Sequence, residues 1–187
     1  CREGMRVGHG IHVLVCIIRM EGVMDNHRKL DFLKVTNEDV DTMTAVMKRA
    51  FDEDSRRFLG RGTGGPPGYD NGEFIRKWYL GSGADAFKVC CEGKLIGGMN
   101  IFHNGNHAYF LGNMFVDPDC QDQGVGTAIW KFIESQYPDA TKWATETPGF
   151  SKRNHHFYVN KCGFHVVRID NPKDAEEESY ILEKQMA

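Results

Sequence analysis

The stretch LGNMFVDPDCQDQGVGTAIWKFIESQY, residues 111–137, decides how the rest of the chain reads. An apolar run from Tyr109 to Val116 is stopped by Asp117-Pro118, and a proline cannot donate to a sheet ladder. A polar turn follows with Gln121, Gln123, Gly124 and Gly126. Val125, Ala128, Ile129, Phe132 and Ile133 then recur on one face at helical spacing. Strand, glycine turn and helix together aim unpartnered N–H groups and the positive end of a helix at one spot, which suits an anion. The glycines let a ligand approach the backbone without a Cβ in the way. No Lys-Ser/Thr follows them, so this is not a P-loop. Ile129 stands where a dinucleotide fingerprint needs its third glycine.

The spelling Gln121-Asp122-Gln123-Gly124-Val125-Gly126 resembles the Q/R-x-x-G-x-G/A signature of the GCN5-related N-acetyltransferases. Met114-Phe115-Val116-Asp117-Pro118 is similar to the strand that precedes that turn. Asn154 to Phe164, NHHFYVNKCGF, is similar to the family's later Tyr-bearing helix ending in Gly-Phe. The likeness runs over roughly residues 30 to 185. It implies an α/β (α+β) domain with a mixed, mostly antiparallel sheet of about six to seven strands, helices on both faces, and a splay between two parallel central strands. It implies acetyl-coenzyme A as acyl donor, with its pyrophosphate at Gln121, Asp122, Gln123, Gly124, Val125, Gly126 and Thr127. It also implies main-chain contacts from Met114 and Val116 to a pantetheine arm lying in the splay, and a contact from Asn154.

Length and charge fit this. A chain of 187 residues suits one domain with a real core, and a net charge of −3 suggests neither a nucleic-acid nor a membrane partner. Six cysteines, Cys1, Cys16, Cys90, Cys91, Cys120 and Cys162, form no C-x-x-C pair, so a reduced, cytoplasmic protein is expected. The apolar run Val13 to Ile18 is too short to span a bilayer, and Glu21 and Asp25 stand where a signal peptide would carry small cleavage-site residues. Residues 1–29 read as an N-terminal extension of open status, and residues 30–187 as a single acetyltransferase domain.

Leu30 to Val35 reads as a first strand. Thr36 then serves as an N-cap with Asp39 in a capping box, and Val40, Met43, Val46, Met47, Ala50 and Phe51 form the buried stripe of a first helix. Between Ser55 and Gly72 five glycines and Pro66-Pro67 break regular structure. A loop this long is functional or simply mobile. By the resemblance it helps form the acceptor site, and Arg56, Arg57, Arg61, Tyr69 and Asp70 are placed there as substrate contacts. Glu73 to Leu80 is a second helix. Hairpin turns at Glu92-Gly93-Lys94 and Asn104-Gly105-Asn106 join three antiparallel strands. A further strand covers Lys142 to Thr147, and two closing strands cover Phe164 to Ile169 and Tyr180 to Gln185. His103 and His107 flank a turn without a third ligand, so no metal site is expected.

Acyl transfer to an amine needs a base for the incoming ammonium and an acid for the departing thiolate. The resemblance makes Tyr158 the acid, although Tyr158 to Gly163 holds one residue more than the family's Tyr-x-x-x-Gly-Phe. On an ideal helix that residue turns the hydroxyl by about 100° unless a bulge restores it; the alternative is a tyrosine packed beneath the sheet. Glu146, where the second splayed strand opens, is the candidate base, or else bridges a neighbouring Lys or Arg. A backbone N–H near Met114 would face the oxygen that gains charge in a tetrahedral intermediate. Asp117, Asp119 and Asp122 crowd the turn with negative charge, which Lys152 or Arg153 would offset. Ser151 reads as an N-cap and Gly163 as the residue just past the helix end. No cysteine has a partner base, so transfer is expected to be direct. The acceptor, a small molecule or a peptide amine, is not specified, and a homodimer is compatible with the sequence. The competing reading is a non-catalytic acyl-coenzyme A sensor of the same fold.

Overall fold

The structure is a computed structural model describing residues 29–186; the expectation about residues 1–29 therefore lies almost wholly outside the described residues. Seven strands form one sheet in the order β1-β2-β3-β4-β5-β7-β6. They are β1 (Leu30–Lys34), β2 (Asp85–Cys91), β3 (Lys94–His103), β4 (Ala108–Val116), β5 (Lys142–Pro148), β6 (His165–Asp170) and β7 (Ser179–Gln185). All neighbours are antiparallel except β4 and β5.

Helix α1 (Val40–Leu59) follows a short 3-10 turn at Asn37–Asp39. The Asp39 carboxylate accepts from the backbone N–H and hydroxyl of Thr36 at 2.8 and 2.9 Å, as the capping pattern leads one to expect. Val40, Met43, Val46, Met47 and Ala50 are buried and Phe51 is half-buried. They pack with α2 (Glu73–Ile75, continued by a π-helical turn Arg76–Leu80) and with Phe115 on one face of the sheet.

Helix α3 (Val125–Gln136) covers the other face. Its Phe132 stacks on Phe32 of β1 at 4.0 Å, and its Trp130 meets Trp143 of β5 edge-on at 5.4 Å. Alongside it lies α4 (Lys152–His156), continued by a π-helical turn Phe157–Lys161. Such clusters of buried rings contribute about 1 kcal/mol per pair beyond their area.

The segment read as a loop from Ser55 starts later. Arg56 and Arg57 pair with Glu53 one turn back, which extends α1 to Leu59, and Gly60 ends it at φ 66°. The glycine-rich remainder is pinned to α1. Asp52 accepts from the Gly64 N–H at 3.2 Å and from the Tyr69 hydroxyl at 2.7 Å, while the Ser55 hydroxyl donates to the Thr63 carbonyl. Ser151 precedes α4, but its buried hydroxyl has no partner among the described residues, so it does not cap the helix through its side chain.

Candidate active site

Strands β4 and β5 are paired over four residues, from Ala108 opposite Lys142 to Leu111 opposite Thr145. On its other side β4 carries an extra residue. Ile101 pairs with Leu111 and Asn100 with Asn113, leaving Gly112 in a bulge. A Cβ there would lie 2.5 Å from the Phe102 ring, so glycine lets the bulge close against β3. Bulge and fork coincide. The Thr145 hydroxyl donates to the Leu111 carbonyl at 2.9 Å, and from that point the strands diverge around a cavity of about 630 Å³.

The glycine turn forms one end of this cavity. Asp122 and Gly124 take left-handed backbone conformations, φ 58° and 76°. The N–H groups of Gly124, Val125, Gly126 and Thr127 open α3 and have no partner among the described residues. Gln121 braces the turn. Its amide donates to the Val116 carbonyl at 2.9 Å and its oxygen accepts from Arg153. Gln121, Asp122 and Gly124 to Thr127 line the cavity with Met114, Val116 and Asn154.

The turn's carboxylates are answered from a direction the sequence did not suggest. Asp117 is buried and accepts from Arg49 of α1 at 3.1 Å and from the Asp119 N–H at 3.0 Å; Asp119 takes the other arm of Arg49 at 2.7 Å. Of the two neighbouring cations Lys152 and Arg153, Lys152 is exposed. Arg153 faces the cavity and spans from Gln121 to Asp54 of α1, 2.7 Å away. Burial pushes the Asp54 carboxyl above its ordinary value, against the pull of Arg153 and Arg57. Arg49 and Asp54 were not singled out from the sequence, because pairs 68 and 99 residues apart leave no local pattern.

Tyr158 is buried and lines the cavity, its hydroxyl beside Thr145 at the fork. The extra residue before Gly163 is taken up by the π-helical turn, in which the Cys162 N–H donates to Phe157 five residues back at 3.1 Å. Burial raises the phenol pKa well above its ordinary value. Glu146 sits on the rim, exposed, on the face of β5 opposite Thr145 and Thr147. Across β7 from it lies Arg168, whose guanidinium pKa is raised chiefly by its hydrogen bond to Asp170, with Glu146 adding a smaller pull. Acid and base candidates thus approach the fork from opposite faces.

The five acceptor candidates do not come together at the cavity. Arg56 and Arg57 are held by Glu53, Arg61 pairs with Glu176 at 2.5 Å, Tyr69 is buried against α1, and Asp70 is exposed. None of them lines it. Asn113, in contrast, faces the cavity and accepts from the Tyr79 hydroxyl at 2.8 Å. His103 and His107 pair with Asp85 and Asp139, and no cluster of metal-ligating side chains occurs among the described residues. The Cys162 thiol is pushed up to about 12 by burial, and that of Cys90 is raised for the same reason; neither is poised as a nucleophile.

The cavity fits a coenzyme A thioester. The Thr147 hydroxyl lines it, buried and without a hydrogen-bond partner among the described residues. Beyond Leu111 and Thr145 the facing edges of β4 and β5 have no strand between them, and buried peptide groups of that kind need a partner.

A family model described as acetyltransferase (GNAT) family matches residues 47–164. Over 109 residues the chain is 42% identical to the uncharacterised protein YrkN of Bacillus subtilis, and the match spans 57% of each protein. Among solved structures, the ribosomal-protein-S18-alanine N-acetyltransferase of Escherichia coli superposes with a TM-score of 0.66 at 17% identity, covering 84% of this chain and 96% of that one. The PaiA N-acetyltransferase of Thermoplasma acidophilum in complex with coenzyme A gives 0.65 at 14% identity, covering 84% and 99%. These two likenesses are of fold.

Proposed function

The chain belongs to the GNAT acetyltransferase family, and on that footing we propose that it transfers an acetyl group from acetyl-coenzyme A directly to an amine of a small-molecule or peptide acceptor. The observation that carries this reading is the fork between Leu111 and Thr145, opening onto the unpartnered amides of Gly124 to Thr127. Residues 30–187 form the acetyltransferase domain in this reading.

The bound thioester supplies the activated acetyl group and a sulfur leaving group. The chain's own part is positioning and proton traffic. The turn amides and the positive end of α3 hold the diphosphate. Main-chain groups of Met114 and Val116 take the pantetheine arm as a strand would be taken, Asn154 and Thr147 offer it side-chain contacts, and the cavity walls exclude water. Glu146, open to solvent on one face, accepts the proton of the incoming ammonium, directly or through water. Tyr158 Oη, on the other face, keeps its proton until sulfur departs and then donates it. Burial favours this role, since it holds the phenol in its neutral form at neutral pH. The π-helical turn that keeps Tyr158 at Thr145 favours turnover over a module that only holds the cofactor.

Thermal melting with acetyl-coenzyme A, coenzyme A, ATP and NAD tests the cofactor. Stabilisation by the first two alone is expected, and a shift with ATP only would overturn the reading. Release of free thiol over a panel of amines then tests catalysis and identifies the acceptor.

A further inference from the structure

Arg153 occupies an unusual position for a residue whose task is only to brace a helix. Its side chain is largely buried, lines the same cavity as Gly124 and Gly126, and reaches two ways, to the Gln121 oxygen at the turn and to the Asp54 carboxylate 2.7 Å away. Asp54 comes from α1 and Arg153 from α4, helices on opposite faces of the sheet, so the pair closes across the cavity level with the glycine turn. Arg49 already answers Asp117 and Asp119, which leaves the Arg153 charge with Asp54 as its counter-ion.

A largely buried carboxylate at the mouth of an anion site works against the anion. Partly buried ion pairs contribute little net stability, because desolvation offsets attraction. Arginine, however, binds a phosphate group in a two-pronged, charge-assisted geometry at least as good as the one it gives a carboxylate. The pair is therefore cheap to break when a better anion arrives.

We propose that Arg153 is a ligand for the diphosphate of coenzyme A, held at the turn in the ligand-free chain by Asp54, which the diphosphate displaces. This rests on the acetyl-coenzyme A reading above. Asp54 thereby lowers affinity for every anion at the turn, and a diphosphate, with more charge than a monophosphate ester, overcomes it best.

The test is calorimetric binding of coenzyme A to the full chain at fixed ionic strength, for wild type, D54N, R153Q and the double variant. Pantetheine, which lacks phosphates, is measured by displacement. D54N should bind coenzyme A on the order of tenfold tighter, and R153Q weaker by a similar factor, as expected for one charged hydrogen bond. The gain from D54N should be smaller in the R153Q background, where only the direct repulsion by Asp54 is relieved, and pantetheine should bind all four alike. If R153Q does not fold, R153K replaces it, keeping the charge but losing the fork, with an intermediate loss expected. Coenzyme A bound no more tightly by D54N, or pantetheine shifted in step with it, overturns the assignment while leaving the cofactor reading intact. Failure of the wild-type chain to bind coenzyme A at all overturns both.

Discussion

The backbone N–H of Cys162 meets the carbonyl of Phe157, five residues earlier, and that wide turn leaves the Tyr158 hydroxyl beside Thr145. The acid role proposed for Tyr158 can be removed without disturbing the fold. Tyr158→Phe keeps the ring contacts with Phe157 and Phe164. It should lower kcat on the order of a hundredfold, the usual worth of a positioned general acid, while coenzyme A affinity stays within about twofold. Steady-state kinetics beside calorimetry check this. Because burial raises the phenol pKa, the wild-type rate should not fall between neutral pH and about pH 9 through loss of the Tyr158 proton.

Deleting Asn160, which is exposed within the π-helical turn, restores the shorter spacing before Gly163. With the extra residue gone, the helix closes as an α-turn and leaves the ring at the fork, since the wide turn serves only to absorb that residue. A kcat near that of the wild type is expected; a deletion variant as slow as Tyr158→Phe would show that the wide turn itself sets the ring.

Gly97 lies in β3 opposite Val116, and a Cβ there would stand 2.4 Å from the Phe115 carbonyl oxygen. That neighbour is backbone and cannot rotate away. Gly97→Ala should cost about 2–4 kcal/mol, read as a lower urea midpoint, with β4 and the turn displaced enough to weaken coenzyme A binding.

Arg49→Gln leaves the buried Asp117 carboxylate with the Asp119 N–H alone. A loss of about 1–3 kcal/mol is expected, discounted because Arg49 is half exposed. Asp117→Asn in the Arg49→Gln background should recover part of it, measurable as a double-mutant cycle.

At the far end of the sheet, Asp85 accepts from Lys34 at 2.7 Å, His103 at 2.8 Å and the Tyr137 hydroxyl at 2.8 Å. Burial pushes its pKa up, but these three partners outweigh it and bring it down from 3.8 to about 2. A carboxyl depressed on folding stabilises the protein above its unfolded pKa and ceases to as pH falls through the folded one. Allowing for the third of the side chain still in water, Asp85 should contribute about 1 kcal/mol at neutral pH. Denaturant midpoints of wild type and Asp85→Asn should differ above pH 4 and converge towards pH 2.

The sequence made the turn at Gln121 to Thr127 legible because its chemistry is local: glycines, a proline stop and a helical stripe lie within a few residues of each other. The hairpins at Gly93 and Gly105 were legible for the same reason. Partners brought together by the fold left no such trace. Nothing near Asp117 announces Arg49, and Arg153 stood level with Lys152 until their exposures separated them. The acceptor side was hardest to read. Glycines suggested a break at Ser55, but the ion pairs from Arg56 and Arg57 to Glu53 carry the helix on to Leu59, and side-chain anchors then fold the loop back onto α1. Where the Tyr158 hydroxyl points depends on whether the helix widens, and the spacing of residues 158–163 alone does not fix that.

Four rungs and one threonine hydroxyl are what join β4 to β5 before the fork. The sheet is thus two half-sheets sharing a short seam, one carrying α1 and α2, the other closed by β7 and β6. A thioester lying between them would act as a temporary eighth strand. Its arrival should slow amide hydrogen exchange on both sides of the seam at once, so that filling the cavity makes the two halves open as one.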